Sequence, residues 1–434
     1  MNKFNKRQIS FGFGNKKYKL AVPETLSVQI TEPGKVKKSD NIRETIKEAL
    51  DFPIGSFPIE DMVKPGQRIC IISDDITRMT PVREILEDLL PRLEKSGVAK
   101  EDITIVMALG SHRKMTDDEM IKKVGKNMFS SYKVVNSEFR DENYLTEVGK
   151  SQLGTPIKVF KTAIDADIRI GIGSIVPHGC MGWSGGAKIL YPGITSEDIV
   201  SEFHVMQGLE KNVLFGMVEC PVRLAVEEWT EKIGLHFIIN TVLTEELELY
   251  KAVAGHFVKA HRAGVVFGKE AYGASVREQP DIAIVSSYPL NVDFWQCTKA
   301  LYGAGSILAD GGTIILIAPC SEGIGPHKDI CKYIQMIDGE KALKEKIALG
   351  ETGDELLAMA VGVSLGKMSN SCRICIVSDG LTKEEIKESG YELYGEKNLQ
   401  ESFEKVLTRY NNPKILIIPA GGETSWSNKI GNIE

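Results

Sequence analysis

Arg68-Ile-Cys-Ile-Ile-Ser73 runs straight into Asp74-Asp-Ile-Thr-Arg-Met-Thr-Pro81, then into the amphipathic stretch Val82–Lys95 and a second apolar run, Ile103–Leu109. An apolar run without alternation is a strand buried on both faces, and helices must cover those faces. Strand, polar turn, helix and strand in that order mark an α/β protein. The pattern continues outward from this stretch. Further strands are expected at Ile168–Gly173, His236–Val242, Ile282–Ser287, Thr313–Ala318, Arg373–Ser378 and Ile415–Pro419, with helices at Ser196–Met206, Val222–Lys232 and Asn398–Tyr410. Thr116-Asp-Asp-Glu119 is a capping-box pattern that opens a helix just after Leu109–Met115. Near the start, Gln8–Gly14 and Lys17–Val22 alternate about Gly14-Asn15 and read as a β-hairpin.

A chain of 434 residues exceeds one ordinary core. A fresh strand begins after the polar stretch Tyr272–Pro280. The chain therefore reads as two α/β domains, residues 1–275 and 276–434, with a cleft between them. The hydrophobic fraction of 42% and the charged fraction of 26% suit a soluble globular enzyme. Net charge is -6 without any long basic run, so a nucleic-acid partner has no electrostatic footing. Lys3, Lys6 and Arg7 are not followed by the apolar core of a secretory signal, and no apolar run reaches membrane-spanning length. The expected location is the cytoplasm, with no membrane partner. Eight cysteines are scattered along the chain, several in strand patterns, which fits buried reduced thiols. Cys372-Arg-Ile-Cys375 lies in such a pattern and has no second CxxC to complete a metal site.

Three of the seven histidines, His112, His178 and His204, fall at junctions rich in glycine or turn signals. Imidazole is the usual proton carrier near neutral pH, and a histidine at a strand end can face a cleft. His236, His256, His261 and His327 lack that context and read as structural or surface residues. Asp74, Asp75, Thr77 and Arg78 follow a strand directly, at the sheet edge where open α/β folds bind ligands. Arg78 suits a carboxylate or phosphate, although the same stretch also reads as an Asp-rich helix cap with a surface arginine. Ala108-Leu-Gly-Ser-His112 repeats the arrangement beside the capped helix.

The densest stretch is Gly171–Gln207, with Gly171-Ile-Gly173, Pro177-His178-Gly179 and Gly182-Trp-Ser-Gly-Gly-Ala-Lys188. Small residues let backbone N–H groups approach an anion. The phosphate-loop pattern fails, because Ala187 precedes Lys188 and Ile189 follows it. The dinucleotide fingerprint fails because position 176 is Val176. What is left is a glycine-rich loop that places one lysine, suited to covalent attachment or anion binding. Further on, Asp293 can cap a helix, and Gln296 and Lys299 are three apart on one helical face, as a carboxylate clamp or as a solvated surface. The glycine-rich stretch Ser321–Asp329 follows a strand and could line the same site.

Taken in order, Asp75-x-Thr77-Arg78-x-x-Pro81, Gly110-Ser-His112-Arg113, Pro177-His178, Ser184-Gly-Gly-Ala-Lys188-x-x-x-Pro192-Gly193, His204 and Gln296-x-x-Lys299 resemble the lactate racemase family. The resemblance is specific up to about residue 300 and general beyond it. It implies a racemase or epimerase acting at C2 of a lactate-like, malate-like or sugar-acid 2-hydroxyacid by proton-coupled hydride transfer. It also implies nickel and a pyridinium-3-thioamide-5-thiocarboxylic acid mononucleotide, the nickel-pincer nucleotide, held covalently on Lys188. Asp75, Thr77, Ser184, Gly185 and Gly186 would line that cofactor, His204 would ligate nickel, and His112 and His178 would be the catalytic acid and base. Arg78, Gln296, Lys299 and Trp295 would bind substrate, and cofactor-biosynthesis proteins would mature the chain. Residues 1–275 would then carry cofactor and nickel, and residues 276–434 would close the substrate cleft. Two other functions fit some of the same residues. A zinc hydrolase on His112, His178 and His204 leaves Lys188 unexplained. A non-catalytic hydroxyacid-binding homologue leaves the retained histidines and lysine without a purpose.

Overall fold

The computed structural model describes residues 5–13, 16–31, 33–211 and 213–427, so the Gly14-Asn15 turn expected from the sequence lies outside the described residues. The chain forms two compact units, each built on a six-stranded sheet.

One unit comprises Lys35–Phe203 and Met217–Ala271. Its strands lie in the order Leu249–Gly255, Phe237–Leu243, Ile168–Ser174, Ile69–Asp74, Ile103–Ala108, Lys133–Asn136. All neighbours are parallel except the hairpin of Phe237–Leu243 with Leu249–Gly255. The sheet grows from Ile69–Asp74 toward one side, then restarts on the other side with Ile168–Ser174. Connections leave these two strands in opposite directions, which opens a crevice at their carboxyl ends. Ile71, Ile105 and Ile170 are fully buried, each contributing about 1.5–3 kcal/mol. Helix Val82–Lys95 lays Ile85, Leu86, Leu89 and Leu93 into the same core. Thr116 and Glu119 form the expected capping box at the start of Asp117–Val124.

The other unit comprises the residues up to Gly34, His204–Gly216 and the chain from Tyr272 onward. Its sheet is wholly parallel, in the order Glu392–Tyr394, Cys372–Val377, Gly312–Ile317, Ile282–Ser286, Ile415–Ile418, Val28–Ile30. Here the order reverses between Ile282–Ser286 and Ile415–Ile418. The N-terminal hairpin, Lys6–Phe13 with Lys16–Pro23, sends Phe11, Leu20 and Val22 into a core shared with Ile282, Ile315 and Phe403. The chain thus enters this unit three times. The last entry coincides with the polar stretch after Ala271, and the other two follow from long-range pairing that a linear pattern does not register.

The helix expected at Ser196–Met206 runs over Glu197–Leu209, so His204 lies more than a turn before its end rather than beside it. The CxxC pair lies in strand Cys372–Val377, and all eight cysteines are buried and in no disulfide. No helix among the described residues is long and apolar enough to cross a membrane.

Candidate active site

Strand Ile69–Asp74 delivers Asp74 and Asp75 to the crevice, where the turn that follows is strapped in place. Asp74 Oδ2 accepts from Thr80 Oγ1 at 2.5 Å, and Lys123 Nζ lies 2.8 Å from Asp74 Oδ1 while donating to the Arg78 carbonyl at 2.7 Å. Asp75 is buried. Its Oδ1 accepts from the Thr77 N–H at 3.1 Å and the Thr77 hydroxyl at 2.5 Å, and its Oδ2 lies 2.6 Å from His112 Nδ1. Burial pushes the carboxyl pKa up. The His112 imidazole, the Arg78 guanidinium and the Thr77 hydroxyl outweigh that and hold it well below the usual carboxylate range. An ionised Asp75 keeps the proton of neutral His112 on Nδ1 and leaves Nε2 as the basic nitrogen. Arg78 is partly exposed, and among the described residues its guanidinium has no hydrogen-bond or ion-pair partner.

On the neighbouring strand end, Pro177-His178 pairs with Gly182-Trp183 in a two-residue antiparallel ladder. His178 Nδ1 accepts from the Cys180 N–H at 3.2 Å, so the neutral ring carries its proton on Nε2. That nitrogen lies 3.0 Å from Lys188 Nζ, in the turn Gly186–Ile189. Burial, then the Arg78 and Arg223 cations, push the Lys188 amine from 10.5 down to about 7. A neutral amine can accept the His178 Nε2–H. His112 and His178 are therefore held in opposite tautomers.

The loop between them is fastened from behind. The Ser184 hydroxyl donates to the Ser174 carbonyl at 2.7 Å and accepts from the Val176 N–H at 2.9 Å. Gly186 N–H donates to Asn240 Oδ1 at 2.8 Å, and the Ser184 carbonyl accepts from His261 Nε2 at 2.8 Å. A Cβ on Gly186 would sit 2.9 Å from His261 Cγ, on a backbone with φ of +60°, so only glycine fits. The wholly buried Arg223 donates to the Trp183 carbonyl and, at 3.3 Å, to the Gly185 carbonyl. Glu227 lies 3.7 Å from Arg223 and accepts two 2.8 Å bonds from Arg262. Sequence patterning did not single out Lys123, Arg223 or Asn240; it read His261 as structural or surface, and the structure makes it structural. The one available signal was the Arg223/Glu227 spacing of four, each beside a buried valine, Val222 and Val226.

In the other unit, Asp293 caps Phe294–Cys297 by accepting from the Gln296 N–H at 2.7 Å. Gln296 and Lys299 do not share one helix, as their spacing suggested. Thr298 separates Phe294–Cys297 from Lys299–Gly305, and the two side chains instead meet directly, Lys299 Nζ donating to Gln296 Oε1 at 2.6 Å. The Trp295 indole is buried and meets the His204 ring edge-on at 5.6 Å between centroids. The Ser321–Asp329 stretch is tied to this turn, its Gly323 and Ile324 carbonyls accepting from the Phe294 and Trp295 N–H groups at 2.9 and 3.2 Å. Among the described residues, no three His, Cys, Asp or Glu side chains converge on a metal-sized site.

Residues 13–214 match the lactate racemase N-terminal domain family, and residues 276–423 match the lactate racemase C-terminal domain family. The chain belongs to the lactate racemase family. The lactate racemase of Thermoanaerobacterium thermosaccharolyticum is 28% identical over 422 residues, covering 95% of this chain and 97% of that protein. The lactate racemase of Lactiplantibacillus plantarum is 29% identical over 391 residues, covering 87% and 89%. The solved lactate racemase apoprotein of Thermoanaerobacterium thermosaccharolyticum aligns with a TM-score of 0.84 at 26% identity, over 97% of this chain and 100% of that one. A Thermotoga maritima protein shares the fold, with a TM-score of 0.69 at 23% identity over 90% and 99%. Membership in the lactate racemase family makes this chain an isomerase and displaces the hydrolase alternative.

Proposed function

We propose that this lactate racemase family member inverts C2 of a short or medium 2-hydroxyacid, lactate-like, malate-like or a sugar acid, using a nickel-pincer nucleotide tethered to Lys188. The observation that carries the proposal is the Lys188 amine, which burial and neighbouring cations push down to about 7, set on a strapped glycine loop beside His178. A neutral amine is the form that can be acylated. Ser184, Gly185 and Gly186 leave their backbone close to whatever Lys188 holds, and Asp75 and Thr77 close the neighbouring strand end. His204 would supply one imidazole to nickel, the remaining donors belonging to the bound group.

When bound, such a group supplies a carbon that accepts hydride and returns it. The chain's own residues handle the proton and the substrate. Direct removal of the α-proton would leave a carbanion that a carboxylate stabilises poorly, whereas loss of hydride is eased if the hydroxyl proton leaves with it. His112 Nε2 takes that proton from one enantiomer, and ionised Asp75 stabilises the resulting imidazolium. His178 in its imidazolium form supplies a proton to the oxygen on the opposite face and is left neutral, and in the reverse direction neutral His178 takes the proton while the His112 imidazolium returns one. Arg78, Gln296, Lys299 and Trp295 are assigned to the substrate, and cations on its carboxylate restrict the intermediate 2-oxoacid to turning its carbonyl. Maturation falls to cofactor-biosynthesis proteins.

The test is the intact mass of wild type and Lys188→Ala, both made in a host carrying the cofactor pathway. An adduct on wild type alone is expected, followed by turnover in a chiral assay of lactate, malate and longer hydroxyacids. No adduct on either chain, in a host that loads a known family member, would refute the tethered cofactor.

A further inference from the structure

Outside the groups already assigned, the described residues contain one more histidine–carboxylate pair, His327 with Asp354. His327 is only 2% exposed, and its Nδ1 lies 2.5 Å from Asp354 Oδ1. Its ring packs on the Trp295 indole with centroids 4.1 Å apart and planes inclined by 55°. The far edge of the row is the His204 ring, 5.6 Å from the indole and inclined by 64°. Asp354, His327, Trp295 and His204 come from four separate segments and form one continuous row.

The ends of this row are anchored. Asp354 opens helix Asp354–Ser369, and a Cβ on Gly366 of that helix would lie 2.2 Å from the Ile334 carbonyl oxygen. The helix is thus in backbone contact with Ile330–Ile334, which starts just after His327, with the Ile330 N–H donating to the His327 carbonyl at 3.2 Å. Trp295 itself stands on a helix of four residues, too short to fix a large side chain by its own turns. The indole therefore takes its orientation from what packs on it, and a carboxylate on His327 Nδ1 fixes the plane of the packing ring.

We propose that the His327–Asp354 pair is a positioning device that sets the plane of the Trp295 indole and, through it, the orientation of the His204 imidazole. It depends on His204 and Trp295 belonging to the site as proposed above. The test begins on the unloaded chain, by near-ultraviolet circular dichroism. The Trp295 signal is the difference between wild type and Trp295→Phe. His327→Ala and Asp354→Asn should each remove most of that signal while far-ultraviolet dichroism and Tm stay near wild type. In the loaded enzyme, His327→Ala should lower kcat about tenfold to a hundredfold with little change in KM. His327→Gln, which keeps a donor toward Asp354, should recover part of the loss. If His327→Ala does not fold, Asp354→Asn reads the same signal at a side chain that is 49% exposed. An unchanged Trp295 signal in the variants that fold overturns the proposal. A signal that responds in a wild type without racemase activity upholds the positioning and refutes the function proposed above, so the two failures are distinguishable.

Discussion

At the carboxyl edge of the Lys35–Phe203 sheet, each proton-bearing side chain is committed by a directed hydrogen bond: His112 to Asp75, His178 to the Cys180 N–H and to Lys188. At the carboxyl edge of the other unit's own sheet, the arrangement is one of stacked rings, with Trp295 between His204 and His327, beside the Gln296–Lys299 contact. Moving a proton requires knowing which nitrogen bears it, and only hydrogen bonds to fixed partners decide a tautomer. Gripping a carboxylate or walling a pocket requires shape and charge, which stacking and short helices can supply. The contrast predicts that lesions at the first edge cost turnover most, and that lesions at the second act on binding or, through orientation, on turnover to a lesser degree.

The largest effect is expected for Asp75→Asn. An amide keeps the size of the carboxylate but cannot enforce the Nδ1–H tautomer of His112 or stabilise its imidazolium. The rate should fall about 10³–10⁴-fold in both directions, by analogy with the neutralised carboxylate of a serine-hydrolase triad. Chiral chromatography gives the rates, and intact mass should show the Lys188 adduct unchanged. Near-normal turnover would break the comparison at once, because the hydrogen bonds of the first edge would then be incidental.

His112, His178 and Lys188 were legible from the sequence because glycine, proline and turn residues surround each of them within a few positions. The α/β class was legible for a similar reason, since buried parallel strands are written as continuous apolar runs. What holds these residues was not legible. Lys123 reaches Arg78 across 45 positions and Arg223 reaches Trp183 across 40, and on a helical pattern each looks like a solvated cation. His327 stood in a loop with no local sign that Trp295 and Asp354 would bracket it. The N-terminal hairpin was legible as a hairpin, but its place in the second unit was not, because the core it joins lies more than 250 residues along the chain.

The next effect is on stability. Arg223 is wholly buried, and its guanidinium satisfies the Trp183 and Gly185 carbonyls behind the glycine loop. Arg223→Met keeps much of the volume and leaves those carbonyls unpaired, at a cost of about 3 kcal/mol read from urea unfolding. A loss below about 0.5 kcal/mol would mean that the loop is held by Asn240 and His261 alone. At the other edge, Lys299→Met should raise KM about 10- to 100-fold, the worth of one charge-assisted hydrogen bond, with kcat less affected. If it lowered kcat as severely as Asp75→Asn, the distinction between a proton-setting edge and a gripping edge would collapse.

The last effect tests the tautomer of His178 without any cofactor. The Lys188 amine of the unloaded chain is pushed down to about 7 from 10.5 by burial and by the Arg78 and Arg223 cations. Between those two pH values the unfolded chain binds a proton that the folded chain does not, so this group makes stability rise with pH across the window. The slope is at most about 1.4 kcal/mol per pH unit. Below about pH 7 both states hold the proton and the slope disappears; above about pH 10.5 neither does, and it disappears again. Lys188→Met removes the group and with it the slope. Urea unfolding of both chains at pH 7.5 and pH 9.5, about two units apart, should therefore show the wild type gaining up to about 2–3 kcal/mol on the variant. A difference that stays flat would mean that Lys188 is protonated in the folded chain. His178 Nε2 would then have to accept from the ammonium, its proton would sit on Nδ1 against the Cys180 N–H, and the opposition between the two histidines would be lost.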